Sequence, residues 1–161
     1  MAESLKTRLF RWWFNFFPAY RRTGGRITYI AGDLHEIRVK LPLNWKTRNY
    51  VGSLFGGSMY GAIDPIYMIM LIKLLGPEYL VWDKSATIQF KKPGRKTLYA
   101  RFVVGPEELA EIRRRLETEH SINRMYQVEL TDGEGDVCAS FEKTLYMRRK
   151  DKTKEPRILR A

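Results

Sequence analysis

The hydrophobic residues near the start of this 161-residue chain follow the spacing of an amphipathic helix. Over residues 4–17, one side of that helix carries Leu5, Leu9, Trp12, Trp13, Phe16 and Phe17. Polar side chains occupy the other side, and Pro18 ends the helix. The apolar side either packs on its own domain or on a second copy, or it lies in a membrane interface, where Trp and Phe beside Arg and Lys are also typical. We favour packing.

Alternating hydrophobic and polar positions predict strands in much of the remaining chain. Residues 27–30 and 34–41 form two short strands around a Gly32-Asp33 turn, and His35 falls on the apolar side of the second, as a core histidine would. Longer strands follow at 85–90, 97–104, 126–130 and 137–145, with a polar helix at 107–119. Cys138 falls on the more polar side of the last strand, and we expect its thiol to fill space there without reacting.

A segment from Gly56 to Leu75 is apolar on every side, which is typical of a helix buried in a core or in a membrane. Asp64 and Pro65 interrupt it, so we expect a soluble helix wrapped by the sheet. Pro65 lacks the amide that would bond the carbonyl of Gly61, so a bend is expected there. This pattern predicts an α+β fold, in which a curved antiparallel sheet wraps a long central helix and pairs its edge with a second copy.

The formal net charge of +11 is concentrated at the two ends of the chain. Residues 1–26 carry six basic residues and one acid, and residues 148–161 carry seven and two, which leaves +1 in between. Basic ends can bind nucleic acid, but no recognition helix or aromatic platform accompanies them, so no nucleic acid is expected. We divide the chain into an N-terminal amphipathic helix at 1–25, a domain at 26–150 and a basic tail at 151–161.

Cysteine and histidine usage restricts the chemistry further. A single cysteine, Cys138, excludes an intrachain disulfide and suits a reducing compartment. No secretory signal precedes the domain, so a cytoplasmic location is expected. His35 and His120 are far apart in sequence, so no metal site is predicted.

Asp64 is the candidate functional residue, because it is the only side chain charged at neutral pH between Arg48 and Lys73. A carboxylate in apolar surroundings is costly unless it is paired or used, and full burial can raise a carboxyl pKa by roughly 3–5 units. An acid two helical turns after Gly56-Gly57 therefore indicates a site.

The motif formed by Asn49, Phe55-Gly56-Gly57 and Asp64 resembles the hotdog-fold acyl thioesterases. The phenylacetate-degradation type has Asn, then His-Gly-Gly six residues later, then an acid seven residues after the second Gly; Asn49 and Asp64 keep that spacing. The wider sequence, about residues 27–150, looks like a hotdog family without an assigned substrate. That likeness rests on Asn44-Trp45, Trp82-Asp83-Lys84 and Lys92-Pro93-Gly94-Arg95.

This resemblance implies hydrolysis of an acyl-CoA or similar thioester without a cofactor. Asp64 would be the general base or nucleophile, the Gly56 amide would bind the thioester oxygen, and Asn49 would position water or substrate. The remaining expected substrate-binding residues are Phe55, Gly57, Met68, Lys92 and Arg95. The motif's His is Phe55 here, and Met68 supplies no hydroxyl. A noncatalytic module that binds an acyl chain or a CoA-like ligand is therefore the alternative.

The spacing of Gly56 and Asp64 predicts the oligomeric state. Eight residues of helix span about 12 Å, whereas a reacting carbonyl needs both groups within roughly 3–3.5 Å. One chain cannot supply both residues to one carbonyl, but two antiparallel copies can. We therefore expect a homodimer, or a tetramer built from such dimers, with two shared sites per dimer.

Overall fold

A computed structural model describes residues 1–151 of the chain. Its elements are α1 (Leu5–Phe16), α2 (Pro18–Thr23), β1 (Arg26–Ile30), β2 (Glu36–Leu41), α3 (Gly56–Ile63), α4 (Ile66–Leu75), β3 (Tyr79–Phe90), β4 (Leu98–Val103), α5 (Pro106–Thr118), β5 (Ile122–Thr131) and β6 (Val137–Arg149). Except for Asp151, the expected basic tail at 151–161 lies outside the described residues.

The six strands form one antiparallel sheet in the order β1-β2-β4-β5-β6-β3. Inward-facing side chains such as Ile37, Phe102 and Phe141 alternate with outward ones, and they are buried with Met70 and Leu71 of the central helix. The α+β architecture with an antiparallel sheet around a long central helix confirms the fold predicted from the sequence. Within residues 1–151, β3 pairs only with β6, so its other edge is open.

The central helix is broken at Asp64-Pro65 into α3 and α4, as the missing amide of Pro65 predicts. Two carbonyls at the break are satisfied from elsewhere: the Tyr20 hydroxyl donates to Ala62 O at 3.0 Å, and Lys143 Nζ donates to Asp64 O at 2.5 Å. Within residues 1–151, only Gly56–Leu75 has the length and hydropathy of a membrane span, and half of it is buried. Its packing is that of the core helix of a soluble domain.

Helix α1 packs on β1, but not through the face that we expected. Thr7 and Phe14 are buried against the domain, while the six predicted core residues of this helix are 44–65% exposed. The reason lies in β1, an edge strand with unpaired backbone groups. The Asn15 side chain satisfies both groups of Ile27, donating to its carbonyl at 2.9 Å and accepting from its amide at 2.8 Å. Packing on its own domain is confirmed, and the assignment of the apolar side to that contact is wrong.

Two smaller expectations concern His35 and Cys138. His35 is half-buried, and its Nδ1 lies 2.5 Å from Val104 O, so it is the hydrogen-bonded histidine that we expected.

Cys138 is buried, contrary to the expectation of a polar-side position. The turn after β3 covers it, because the amides of Lys91 and Lys92 donate to the Cys138 carbonyl. Burial raises the pKa of the Cys138 thiol.

Candidate active site

Asp64 ends α3 at the break in the central helix, and about a third of its side chain is exposed. Lys143 Nζ of β6 donates to Asp64 Oδ1 at 2.7 Å. The Asp64 carboxylate beside Tyr60, one turn earlier on α3, raises the pKa of Tyr60 to about 12. The expected carboxylate is therefore accessible from outside and held in place by Lys143.

Lys143 is the functional candidate that the sequence analysis did not select. Its side chain is only 2% exposed, and it stands between Phe141 and Leu145 on the inward side of β6. A lysine at a position where alternation demands an apolar residue was the available signal, because buried lysines require a partner. Only the fold shows that this partner is Asp64, 79 positions earlier.

Asp83 of β3 is the second carboxylate near Lys143. Its Oδ1 lies 3.1 Å from Lys143 Nζ, an electrostatic contact without the direction of a good hydrogen bond. Burial raises the pKa of Asp83, and the Lys143 ammonium opposes that shift. A bulge at Lys84 follows Asp83 directly. Lys143 therefore joins Asp64 of the central helix to Asp83 of β3, the edge strand of the sheet.

Asn49 organises the loop that leads into α3. Its Oδ1 accepts hydrogen bonds from the amides of Val51 and Ser53 at 3.1 and 3.0 Å, and its Nδ2 donates to Ser53 Oγ at 2.9 Å. These bonds are an Asx-type turn made by the side chain itself. In this conformation the amide group positions the loop, and the role expected for Asn49 toward water or substrate stays a prediction.

Gly56 and Gly57 open α3, where first-turn amides lack helical acceptors. Phe55 precedes them and provides no capping side chain, so these amides are free of a side-chain cap. A Cβ at either glycine would crowd an aromatic ring: one on Gly56 would lie 2.9 Å from the ring of Phe90, and one on Gly57 would lie 2.4 Å from the ring of Phe55. The helix start is a set of backbone donors beneath two aromatic rings.

A cavity of about 330 Å³ brings several predicted site residues together. Asn49, Gly56 and Lys92 line it, with Phe90 and Met59. Asp64 is not among its lining residues, since it lies two helical turns further along. One chain thus presents the glycine end and the carboxylate end of the predicted site at separate places.

Of the other expected substrate-binding residues, Phe55 is 57% exposed and Met68 is half-buried against the core. Arg95 is exposed in the basic turn 91–96. Lys92 Nζ contacts Asp136 Oδ1 at 2.9 Å, which raises the pKa of Lys92. Lys96 likewise contacts Glu134 at 2.5 Å, so the acidic β5–β6 turn offsets part of the charge of the basic turn.

Within residues 1–151, no group of three or more His, Cys, Asp or Glu is placed to hold a metal ion.

Solved structures that share this hotdog fold include several that are described as thioesterases. PA5026 of Pseudomonas aeruginosa, a protein of unknown function described as a probable thioesterase, has a TM-score of 0.80 and 18% identity over 93% of this chain and all of its own. The thioesterase HI1161 of Haemophilus influenzae has a TM-score of 0.65 and 16% identity over 92% and 93%. OLEI01261 of Chlorobaculum tepidum, of unknown function, has a TM-score of 0.71 and 14% identity over 90% and 95%.

The fold is therefore that of the hotdog class, as the sequence resemblance implied. The family model "Domain of unknown function (DUF4442)" matches residues 6–147, and the chain belongs to that family. No curated protein sequence matches it.

Proposed function

We propose that this protein hydrolyses an acyl thioester at a site built around Asp64. The observation that carries the proposal is the accessible carboxylate in an otherwise apolar helix, held by Lys143 at 2.7 Å. A carboxylate held by a buried donor keeps one orientation, which a base or nucleophile needs. Its position in the sequence motif agrees with the thioesterases that it resembles.

The reaction requires two groups besides substrate and water. As a general base, Asp64 takes a proton from water, whose oxygen attacks the thioester carbon. The carbonyl oxygen becomes an oxyanion and accepts a hydrogen bond from the Gly56 amide. The C–S bond then breaks, and the thiolate leaves with the proton that Asp64 received. As a nucleophile, Asp64 instead attacks the thioester carbon, the C–S bond breaks and the thiolate leaves, so that an anhydride joins Asp64 to the acyl group. Water then cleaves the anhydride, which releases the free acid and restores the Asp64 carboxylate.

A homodimer would complete this site. The open edge of β3 is 12 residues long and would be an aggregation hazard if nothing covered it. Pairing two β3 edges across a two-fold axis would cover both and bring Asp64 near Gly56 of the partner subunit. The reaction would then use two equivalent shared sites. Tetramers could be built from such dimers.

Coenzyme A is the carrier thiol that the charge distribution favours. Lys92 lines the cavity beside Gly56, and Arg95 is exposed in the same turn. The ion pair of Lys92 with Asp136 is exposed on both sides and so contributes little stability. A phosphate group could displace the carboxylate at low cost. A cytoplasmic location, where acyl-CoA is available, fits this substrate.

A noncatalytic module that binds an acyl chain or a CoA-like ligand is the second candidate function. Phe55 stands where the resembling enzymes have His, and its ring can neither donate nor accept an ordinary hydrogen bond. Lys143 also occupies Asp64 Oδ1, and its hydrogen bond competes with proton transfer from water.

A panel of acyl-CoA thioesters, assayed by the thiol that they release, distinguishes the two functions. Hydrolysis is expected for the wild type and loss of kcat for Asp64→Asn, with Asp33→Asn as an exposed control. If the wild type binds acyl-CoA in calorimetry but releases no thiol, the binding module is the correct function. If it does neither, both proposals fail.

A further inference from the structure

The outer side of α1 is an exposed apolar surface, which we name the aromatic face: Leu5, Leu9, Trp12, Trp13, Phe16 and Phe17. Its rings contact one another, with centroids 4.3 Å apart for Trp12 and Phe16 and 5.6 Å apart for Trp13 and Phe17. A helix of 12 residues is about 18 Å long, and the face runs along all of it. Soluble monomers rarely expose a contiguous apolar patch of this kind unless something binds it.

Positive charge surrounds the aromatic face. The sequence has no acid between Glu3 and Asp33, while six Lys and Arg residues lie in that interval. The carboxylate of Glu3 is occupied by the Arg11 guanidinium at 2.8 and 3.1 Å. Lys73 of α4 adds a cation 4.8 Å from the ring of Phe10, which lies between Leu9 and Arg11 on α1.

A basic cleft adjoins the C-terminal end of the face. It encloses about 370 Å³ and is lined by Phe16, Pro18, Arg21, Arg22, Gly24 and Lys46. Phe16 belongs to both surfaces, and the Arg21 guanidinium lies 5.8 Å over its ring. An anion bound by these cations would therefore sit directly beside the exposed rings.

We propose that the aromatic face and the basic cleft together bind the surface of an anionic phospholipid bilayer. The rings would enter the boundary of headgroups and acyl chains, and Arg21, Arg22 and Lys46 would contact lipid phosphates. A second copy is the less suitable occupant, because it would bring the same cations to the same rim. The face is also near β1, at the opposite end of the sheet from β3, so the proposed dimer leaves it uncovered.

Vesicle co-sedimentation of the full chain tests this proposal. Vesicles of pure phosphatidylcholine are compared with vesicles that also contain phosphatidylglycerol, at low and high salt. Binding is expected for the anionic vesicles, with weakening by salt. Trp45→Phe/Trp82→Phe leaves Trp12 and Trp13 as the only indoles, and their emission should shift to shorter wavelength on binding.

Two pairs of substitutions locate the surface. Arg21→Gln/Arg22→Gln should lower partitioning about 30-fold, since each basic residue near an anionic surface contributes about 1 kcal/mol. The matched control Arg113→Gln/Arg114→Gln removes the same charge from α5 and should partition like the wild type. Trp12→Ala/Trp13→Ala should abolish binding while circular dichroism shows a folded protein, because both side chains are exposed.

Three results would overturn the proposal. The first is a folded wild-type protein that does not co-sediment with anionic vesicles. The second is equal partitioning of the Arg21/Arg22 and Arg113/Arg114 variants, which would indicate attraction by net charge alone. The third is a Trp12/Trp13 variant that binds vesicles normally but has a smaller mass in light scattering, which would assign the face to a second copy.

Discussion

Lys143 Nζ bonds both oxygens that Asp64 presents at the helix break, the carboxylate Oδ1 at 2.7 Å and the main-chain carbonyl at 2.5 Å. One buried ammonium thereby satisfies a backbone group freed near Pro65 and fixes the side chain proposed for catalysis. Pro65 breaks the helix, and Lys143 on β6 both compensates for the break and orients the candidate base.

Replacing Lys143 should destabilise the protein. Lys143→Met leaves Asp64 and Asp83 as neighbouring carboxylates without their cation. We expect the free energy of unfolding to fall by about 2–4 kcal/mol, a range that already allows for the partial exposure of Asp64. Denaturant unfolding measures it, with Lys40→Met on β2 as the control. Adding Asp83→Asn should restore part of the loss, because it removes one repelling charge. Simple additivity of the two changes would contradict the coupling.

Glu36 should give the protein a stability component that depends on acid pH. Hydrogen bonds from Arg101 and Arg38 lower the pKa of Glu36 from 4.5 to about 2. The folded state therefore takes up its proton at lower pH than the unfolded state, so the stabilisation is complete above pH 4.5 and is lost as the pH falls toward 2. Glu36→Gln should lack this component, whereas a variant at an exposed residue of β5, Glu129→Gln, should keep it. Parallel pH profiles for Glu36→Gln and wild type would disprove the assignment.

The docking side of α1 can be checked with two substitutions in one helix. Asn15→Ala leaves both backbone groups of Ile27 without their partner and should cost about 1–3 kcal/mol. Trp12→Ala, on the exposed side, should change stability by no more than about 0.5 kcal/mol. Thermal unfolding measures both. The opposite ranking would mean that the apolar side is the docked one.

Helix α1 shows what the hydrophobic pattern of a sequence cannot predict. The hydrophobic period identifies which residues share a side, and it predicted the helix correctly. It cannot show that the unpaired backbone of β1 makes the polar side the better contact, because that depends on hydrogen bonds between Asn15 and Ile27. Likewise, alternation placed Lys143 on the inward side of β6, but its pairing with Asp64 depends on tertiary structure.

The candidate site was predictable only in part, for the same reason. The motif spacing identified Asn49, Gly56 and Asp64, and the structure brings Asn49 and Gly56 to one cavity with Lys92. The motif could not show that Asn49 is engaged within its own loop or that acids of the β5–β6 turn pair with Lys92 and Lys96. The lysine contacts join residues far apart in the chain, which local patterns do not encode. The Asn49 bonds are local, but they depend on the loop conformation, which the residue types and spacing of the motif do not specify.

The basic turn gives a prediction about the carrier thiol. Lys92→Ala/Arg95→Ala should weaken CoA binding and make it less dependent on salt, because two cations near the ligand phosphates are lost. Isothermal titration at two ionic strengths measures both effects. Arg113→Ala/Arg114→Ala is the control of equal charge. An unchanged affinity would remove the turn from the binding site.

Gly56→Pro is a suitable means of removing one half of the proposed site. Proline fits the first position of a helix, and Phe55 before it already has the extended backbone that proline requires, with φ −70° and ψ 130°. A Cβ at this position would have the ring of Phe90 as its nearest neighbour, and that side chain is 60% exposed and able to move. The change therefore deletes the Gly56 amide with little disturbance, and Gly56→Ala, which keeps the amide, is its control.

Thioester hydrolysis by a mixed dimer tests the shared site most directly. The Asp64→Ala chain and the Gly56→Pro chain carry different affinity tags. The two are co-expressed, and the heterodimer is purified through both tags in turn. Each parent homodimer should be inactive, while the heterodimer should recover about half of the wild-type rate, since one of its two sites combines an intact Asp64 with an intact Gly56 of the partner subunit. An active wild type whose heterodimer recovers no hydrolysis would contradict the account.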